Sequence, residues 1–200
     1  MIKNISIFCG SSIGRKDIYR NSAVELGLLL AEQNITMIYG GGNVGMMGII
    51  ADTMLENNGY VKGIIPKELT EKEIAHSGIQ EMQIVESLME RKKVMIDISD
   101  AFIALPGGFG TLDEFFEVVT MLQLGYIKKP VGILNTDGYF DDLVNMMNKG
   151  VYEQFIKPVH RENIIVETNT YMLFNRINSF EPVENESNWI ERLKKENRYL

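Results

Sequence analysis

The chain has 200 residues, 45% hydrophobic and 24% charged, with a net charge of −7 and a pI near 5.0. That length and balance suit one soluble domain with a full core, and the acidity argues against a nucleic-acid-coating role, which needs a basic face. A single cysteine, Cys9, excludes an internal disulfide and a multi-cysteine zinc site; no apolar run approaches the ~20 residues that span a bilayer, and residues 1–10 lack a signal-peptide pattern. No membrane partner and a cytoplasmic location are expected.

In chain order, residues 5–9 read as a short strand ending at the donor-rich loop Gly10-Ser11-Ser12. From 17 to 33, Ile18, Val24, Leu28 and Leu29 recur at helical spacing. A second strand over 35–39 meets Gly40-Gly41-Gly42, and a helix follows to about 57. Gly59 ends that helix, 60–65 form a third strand closed by Pro66, and 67–80 read as a polar surface excursion. A fourth strand over 82–85 leads into a helix over 88–99. The apolar run Ala101-Phe102-Ile103-Ala104-Leu105 is a strand, and its helix spans 112–124. A further strand over 131–134, a helix over 139–149 and a last helix near 171–177 precede the charged tail 181–200.

Strands alternating with helices imply βαβ units, hence an α/β fold with a parallel sheet covered by helices on both faces. No linker divides the chain, so one domain over 1–180 and a separate tail are expected. Ligands of such sheets bind at the carboxyl ends of the strands. The small-residue loops at Gly10, Gly40 and Gly107 all follow strands and should converge on one edge.

The densest signal is Pro106-Gly107-Gly108-Phe109-Gly110-Thr111-Leu112-Asp113-Glu114. A strand, a glycine turn and a helix start aim backbone N–H groups and a helix dipole at one point, which suits a phosphate. A carboxylate, Glu114, stands beside it. Thr111 to Glu114 is also a T-x-x-E capping box, in which Thr111 caps the helix and Glu114 reaches back to the N-cap amide. The residues alone leave capping and catalysis open.

In the 88–99 helix, Leu88, Arg91, Met95 and Ile98 share one stripe, so Arg91 lies among apolar residues. It is either a snorkelling arginine or one aimed into the cleft at a carboxylate or phosphate. Ser87 to Glu90 is a second capping box. Gly40 to Gly45 matches G-x-G-x-x-G, but it follows the second strand, and the next strand ends in Ile65-Pro66 rather than an acid. That disfavours a dinucleotide site. Cys9, inside a strand pattern, reads as a small buried hydrophobe. His76 and His160 are too few for a His-rich metal centre. The 112–124 helix is apolar on several sides, so it is either central or at a subunit interface, with an interface favoured.

Pro106 to Glu114, with Glu90-Arg91-Lys92 upstream, resembles the Lonely Guy (LOG) family of cytokinin riboside 5′-monophosphate phosphoribohydrolases, often labelled lysine decarboxylases. The family pattern P-G-G-x-G-T-x-x-E is met at each fixed position, and similarity runs over roughly 3–180. The resemblance implies a Rossmann-like doubly wound sheet, a homodimer, and hydrolysis of the N-glycosidic bond of a purine nucleoside monophosphate, an N6-modified adenosine 5′-monophosphate or AMP itself. It places the catalytic pair on Arg91 and Glu114. It places substrate contacts on Glu73, Arg91, Lys92, Gly107, Gly108, Phe109, Gly110, Thr111, Leu112, Asp113, Glu114 and Thr120. No metal or organic cofactor is implied. The decarboxylase label needs a pyridoxal-phosphate lysine, usually after a histidine, and neither His76 nor His160 precedes a lysine. The alternative is a non-catalytic nucleotide- or molybdenum-cofactor-binding module of the same fold.

Overall fold

The computed structural model describes residues 2–70 and 75–183. Strands β1 (Asn4–Phe8), β2 (Thr36–Tyr39), β3 (Val61–Pro66), β4 (Glu81–Val85), β5 (Ala101–Ala104), β6 (Val131–Leu134) and β7 (Ile164–Glu167) form one sheet. Its order is β4-β3-β2-β1-β5-β6-β7, and every pairing is parallel. The helices are α1 (Asp17–Glu32), α2 (Gly45–Glu56), α3 (Leu88–Ile98), α4 (Phe109–Leu124), α5 (Asp141–Tyr152), α6 (Pro158–Glu162) and α7 (Thr170–Asn178). This is the doubly wound, Rossmann-like α/β fold expected.

Strands buried on both faces explain the short, continuous apolar runs. Side chains alternate across the pleat: Ile5, Ile7, Ala101, Ile103 and Leu105 pack under α1, α2 and α7. Phe8, Phe102 and Ala104 face the opposite layer, with Met95 of α3, Phe115 and Val118 of α4 and Met147 of α5. Phe102 is fully buried and stacks on Phe8 at 6.0 Å; truncation to alanine costs about 3–5 kcal/mol at such a site. Among the described residues no helix is long and apolar enough to cross a membrane.

The chain winds outward one way from β1 to β4, then returns beside β1 and winds the other way from β5 to β7. Loops from neighbours that leave in opposite directions part, so a crevice opens between the ends of β1 and β5. Leu105 N donates to Phe8 O and Gly10 N to Pro106 O, 3.1 Å in the latter. Both strands are therefore tied up to the lip of that crevice.

Several boundaries differ from expectation. α4 begins at Phe109, three residues early, because Gly-Phe-Gly reads as loop by propensity while the packed turn carries it into the helix. α5 begins at Asp141 and runs to Tyr152 rather than covering 139–149, and residues 136–138 form a 3-10 turn. Pro66 closes β3 as its last residue and still pairs with Val85. Edge strand β7 and the single turn of α6 were not anticipated; four residues carry no periodicity, and pairing with β6 decides them. Of the expected tail, Val183 is tied to Asn163 by two hydrogen bonds, and residues 184–200 lie outside the described residues.

Candidate functional site

The three small-residue loops meet at the crevice. Met46 N donates to Gly10 O at 3.0 Å, which docks the start of α2 on the β1 loop. A Cβ on Gly40 would stand 3.4 Å from Arg91 Nη1, so the β2 loop borders the guanidinium. Gly107 is sterically required: a Cβ there would lie 2.1 Å from Thr111 Oγ1 and 2.7 Å from Gly10 N.

Arg91 and Glu114 come from α3 and α4 and meet below these loops, Nη2 donating to Oε1 at 3.0 Å. Their side chains are only 11% and 10% exposed. The stripe position of Arg91 thus marks an arginine aimed at a carboxylate, not one snorkelling to water. Cys9 lies close by; burial, and then the negative charge of Glu114, push its thiol far above the usual range. It is an inert core residue, as its strand pattern suggests.

The Thr111–Glu114 capping box is not formed. Gly108, which has no side chain to cap with, is the N-cap of α4, and Thr111 is the third residue of the helix. Starting the helix at Gly108 moves Thr111 past the cap and leaves Glu114 on the inward face with Arg91. Thr111 is buried, and its hydroxyl has no hydrogen-bond partner among the described residues. The first amides of α4 lie at the positive end of a four-turn helix that starts where β5 ends, on the crevice edge of the sheet. Among the described residues, no atom outside the local backbone lies within 4 Å of a Cβ built on Gly108 or Gly110. The Ser87–Glu90 box forms in its first half only: Ser87 Oγ accepts from Glu90 N, while Glu90 Oε2 accepts from Glu86 N, one residue before the cap.

Other expected contacts spread out. Lys92 Nζ lies 3.0 Å from Asp113 and 2.8 Å from Glu117, clamping α3 to α4, and these acceptors push its pKa up. Thr120 Oγ1 donates to Phe116 O on the outer face of α4, in a groove shared with Lys92, Leu112 and Leu124. It is not gathered with the Arg91–Glu114 pair. Phe109 turns its ring outward, 93% exposed, so only its backbone belongs to the turn. Leu112 is half-buried at the base of that groove. Glu73 lies outside the described residues, but the chain from Ala75 onward is anchored at the β2 loop. Ala75 bridges Gly42, and His76 N donates to Gly41 O at 2.9 Å. His76 Nδ1 accepts from Gly78 N, which leaves Nε2 to donate to Asp52 Oδ1 at 3.0 Å.

Sequence reasoning missed Tyr139, whose hydroxyl donates to Gly107 O at 2.6 Å. It arrives from the turn after β6, and nothing in its local sequence marks the contact. Among the described residues no three His, Cys, Asp or Glu side chains are grouped to hold a metal ion.

Fold and crevice together define a doubly wound α/β protein in which an uncapped helix N-terminus at the switch point adjoins an ion-paired carboxylate. Residues 47–177 match the family model described as "possible lysine decarboxylase". Over 180 residues, 90% of this chain, it is 44% identical to the cytokinin riboside 5′-monophosphate phosphoribohydrolase LOG7 of Arabidopsis thaliana, covering 83% of that protein. It is 42% identical over the same share to the probable enzyme LOGL2 of Oryza sativa subsp. japonica, covering 74% of it. The molybdenum cofactor binding protein of Rippkaea orientalis superposes over 90% of this chain and 97% of its own with a TM-score of 0.67 at 20% identity. The Moco carrier protein of Chlamydomonas reinhardtii gives 0.65 at 16% over the same shares. At such identities these two speak for the fold alone. The chain belongs to the LOG family. The family model's description does not suit the crevice: a pyridoxal-phosphate lysine must shed its proton to form a Schiff base, whereas Lys92, on α3 beside Arg91, is held charged by two carboxylates.

Proposed function

We propose that this protein is a nucleoside 5′-monophosphate phosphoribohydrolase, hydrolysing the N-glycosidic bond of N6-modified adenosine 5′-monophosphate, or AMP, to the free base and ribose 5-phosphate. The observation that carries it is the buried Arg91–Glu114 pair beside an uncapped helix N-terminus. The names of relatives 41–44% identical over most of the chain support the same activity.

The 5′-phosphate lies against the amides of Gly108 to Thr111, where the helix dipole favours an anion and the missing side chains of Gly108 and Gly110 leave room. Anchoring the phosphate fixes C1′ relative to Glu114. As the bond from C1′ to the purine nitrogen breaks, its electron pair leaves with the base and the sugar becomes oxocarbenium-like. Glu114 stabilises that positive charge and takes a proton from the water that adds to C1′. Arg91 orients the carboxylate through the 3.0 Å bond, and the departing purine gains a proton. Lys92 and Asp113 form a clamp that sets α3 against α4; Glu73 is given a contact to the sugar or base on the family resemblance alone, while Leu112 and Thr120 lie in the outer groove of α4 and take no part in this step.

The purified protein incubated with N6-isopentenyladenosine 5′-monophosphate, and separately with AMP, is expected to release free base on chromatography. Release from neither sinks the assignment and favours the binding module. The protein is also proposed to act as a cytoplasmic homodimer. The outer face of α4 presents Phe109, Phe116 and Leu124, and Tyr126 beyond it is 75% exposed; an apolar stripe of that kind suits a second copy. Sedimentation at micromolar concentration should report twice 22.7 kDa; a monomer refutes the dimer.

A further inference from the structure

The turn between β6 and α5 is built more rigidly than a connection requires. Asn135 is buried; its Nδ2 donates to Asp141 Oδ1 at 2.7 Å, and its Oδ1 accepts from Phe140 N at 2.7 Å. Gly138 sits at φ +69°, where a Cβ would meet Asp141 Oδ2 at 2.5 Å, so the turn admits little but glycine there. Lys16, at the start of α1, forms an ion pair with Asp137. The ring of Tyr139 is held edge-on by Tyr19 at 5.7 Å and by Phe140 at 4.9 Å.

All of this braces one hydroxyl, the one that donates to Gly107 O at 2.6 Å. A trans peptide holds its C=O and N–H in one plane, pointing in opposite directions, and no peptide among the described residues is cis. Holding Gly107 O toward Tyr139 therefore turns Gly108 N–H the other way, into the group of amides at the start of α4. It also engages a carbonyl oxygen, which would repel an anion, in a hydrogen bond. Gly107 itself is locked from the other side by Gly10 and Thr111.

We infer that Tyr139 is a positioning residue for the phosphate cradle: its hydroxyl fixes the Gly107–Gly108 peptide so that the turn presents an N–H rather than a C=O to the substrate's phosphate. The inference rests on the proposed nucleotide site but not on turnover. Tyr139→Phe removes the hydroxyl and keeps the packed ring. Its dissociation constant for ribose 5-phosphate, measured by calorimetry, should rise about 3- to 10-fold, the scale of one neutral hydrogen bond. KM for the nucleotide should rise by a similar factor, with kcat within about twofold and Tm unchanged. Unchanged affinity for ribose 5-phosphate, or a loss confined to kcat, overturns the inference. A wild type that binds ribose 5-phosphate but hydrolyses no nucleotide overturns the hydrolase reading and leaves this one to the binding measurement. A wild type that binds none overturns both.

Discussion

Behind β2, Gly41 sits at φ +82°, and a Cβ there would stand 3.0 Å from Met82 Sδ and 3.1 Å from Ile65 Cβ. Gly45, four residues on, is tighter still, with the Ser11 carbonyl carbon 2.2 Å from its would-be Cβ. Behind β5, by contrast, Gly108 and Gly110 look out on open space. Both turns are rich in glycine, and both come after a strand on the same edge of the sheet. One uses glycine because protein fills the room a side chain would need. The other leaves the room empty beside uncapped amides, which is what a phosphate approaching backbone requires. The G-x-G-x-x-G match at Gly40–Gly45 is therefore a packing feature that also borders Arg91, while the stretch Gly108–Gly110 is the one proposed to receive the phosphate.

The sharpest way to break that distinction is through the carboxylate beside the second turn. Glu114→Gln keeps the shape and an acceptor for Arg91 Nη2 but removes the charge. kcat is expected to fall about 10²–10⁴-fold, the usual range for losing a general base. Arg91 then keeps a positive charge in a nearly buried position, so a lower Tm should accompany the loss. Circular dichroism separates the two effects: folded protein with near-normal turnover would remove Glu114 from the mechanism.

How much of this was legible in sequence depends on range. The alternation of apolar runs and helical stripes specified the layers, because each strand of a buried parallel sheet carries its own signal. Arg91 was legible as a charge on an apolar stripe, and Glu114 as the last fixed residue of a glycine turn. Where helix α4 starts was not legible: propensity places Gly108 to Gly110 in a loop, and the close fit of Gly107 against Gly10 and Thr111 overrides it. For that reason the Thr111–Glu114 box, a sound local pattern, is not the contact the chain makes. Tyr139 and the Asp52–His76 bond were invisible for the same cause, since each joins segments 24 or more residues apart. Glu73 lies outside the described residues, so its expected role is a matter for the substrate assay.

A smaller effect tests the two turns against each other directly. Gly110→Ala puts a methyl group into open space at the second helical position of α4. Alanine favours a helix over glycine by about 1 kcal/mol, worth a rise in Tm of about 2–4 °C in a chain of this size. If the phosphate lies against that amide, the methyl group occupies its place, and KM for the nucleotide should rise about tenfold, the equivalent of about 1.4 kcal/mol. Gly41→Ala should do the reverse on stability: a positive φ and two contacts near 3 Å cost about 1–3 kcal/mol, and Tm falls. Stability and affinity thus move in opposite directions at Gly110, while at Gly41 any loss of activity tracks loss of fold. A Gly110→Ala protein with raised Tm and unaltered KM would show that the open space at α4 is not where the phosphate sits, and the contrast between the turns would lose its functional meaning.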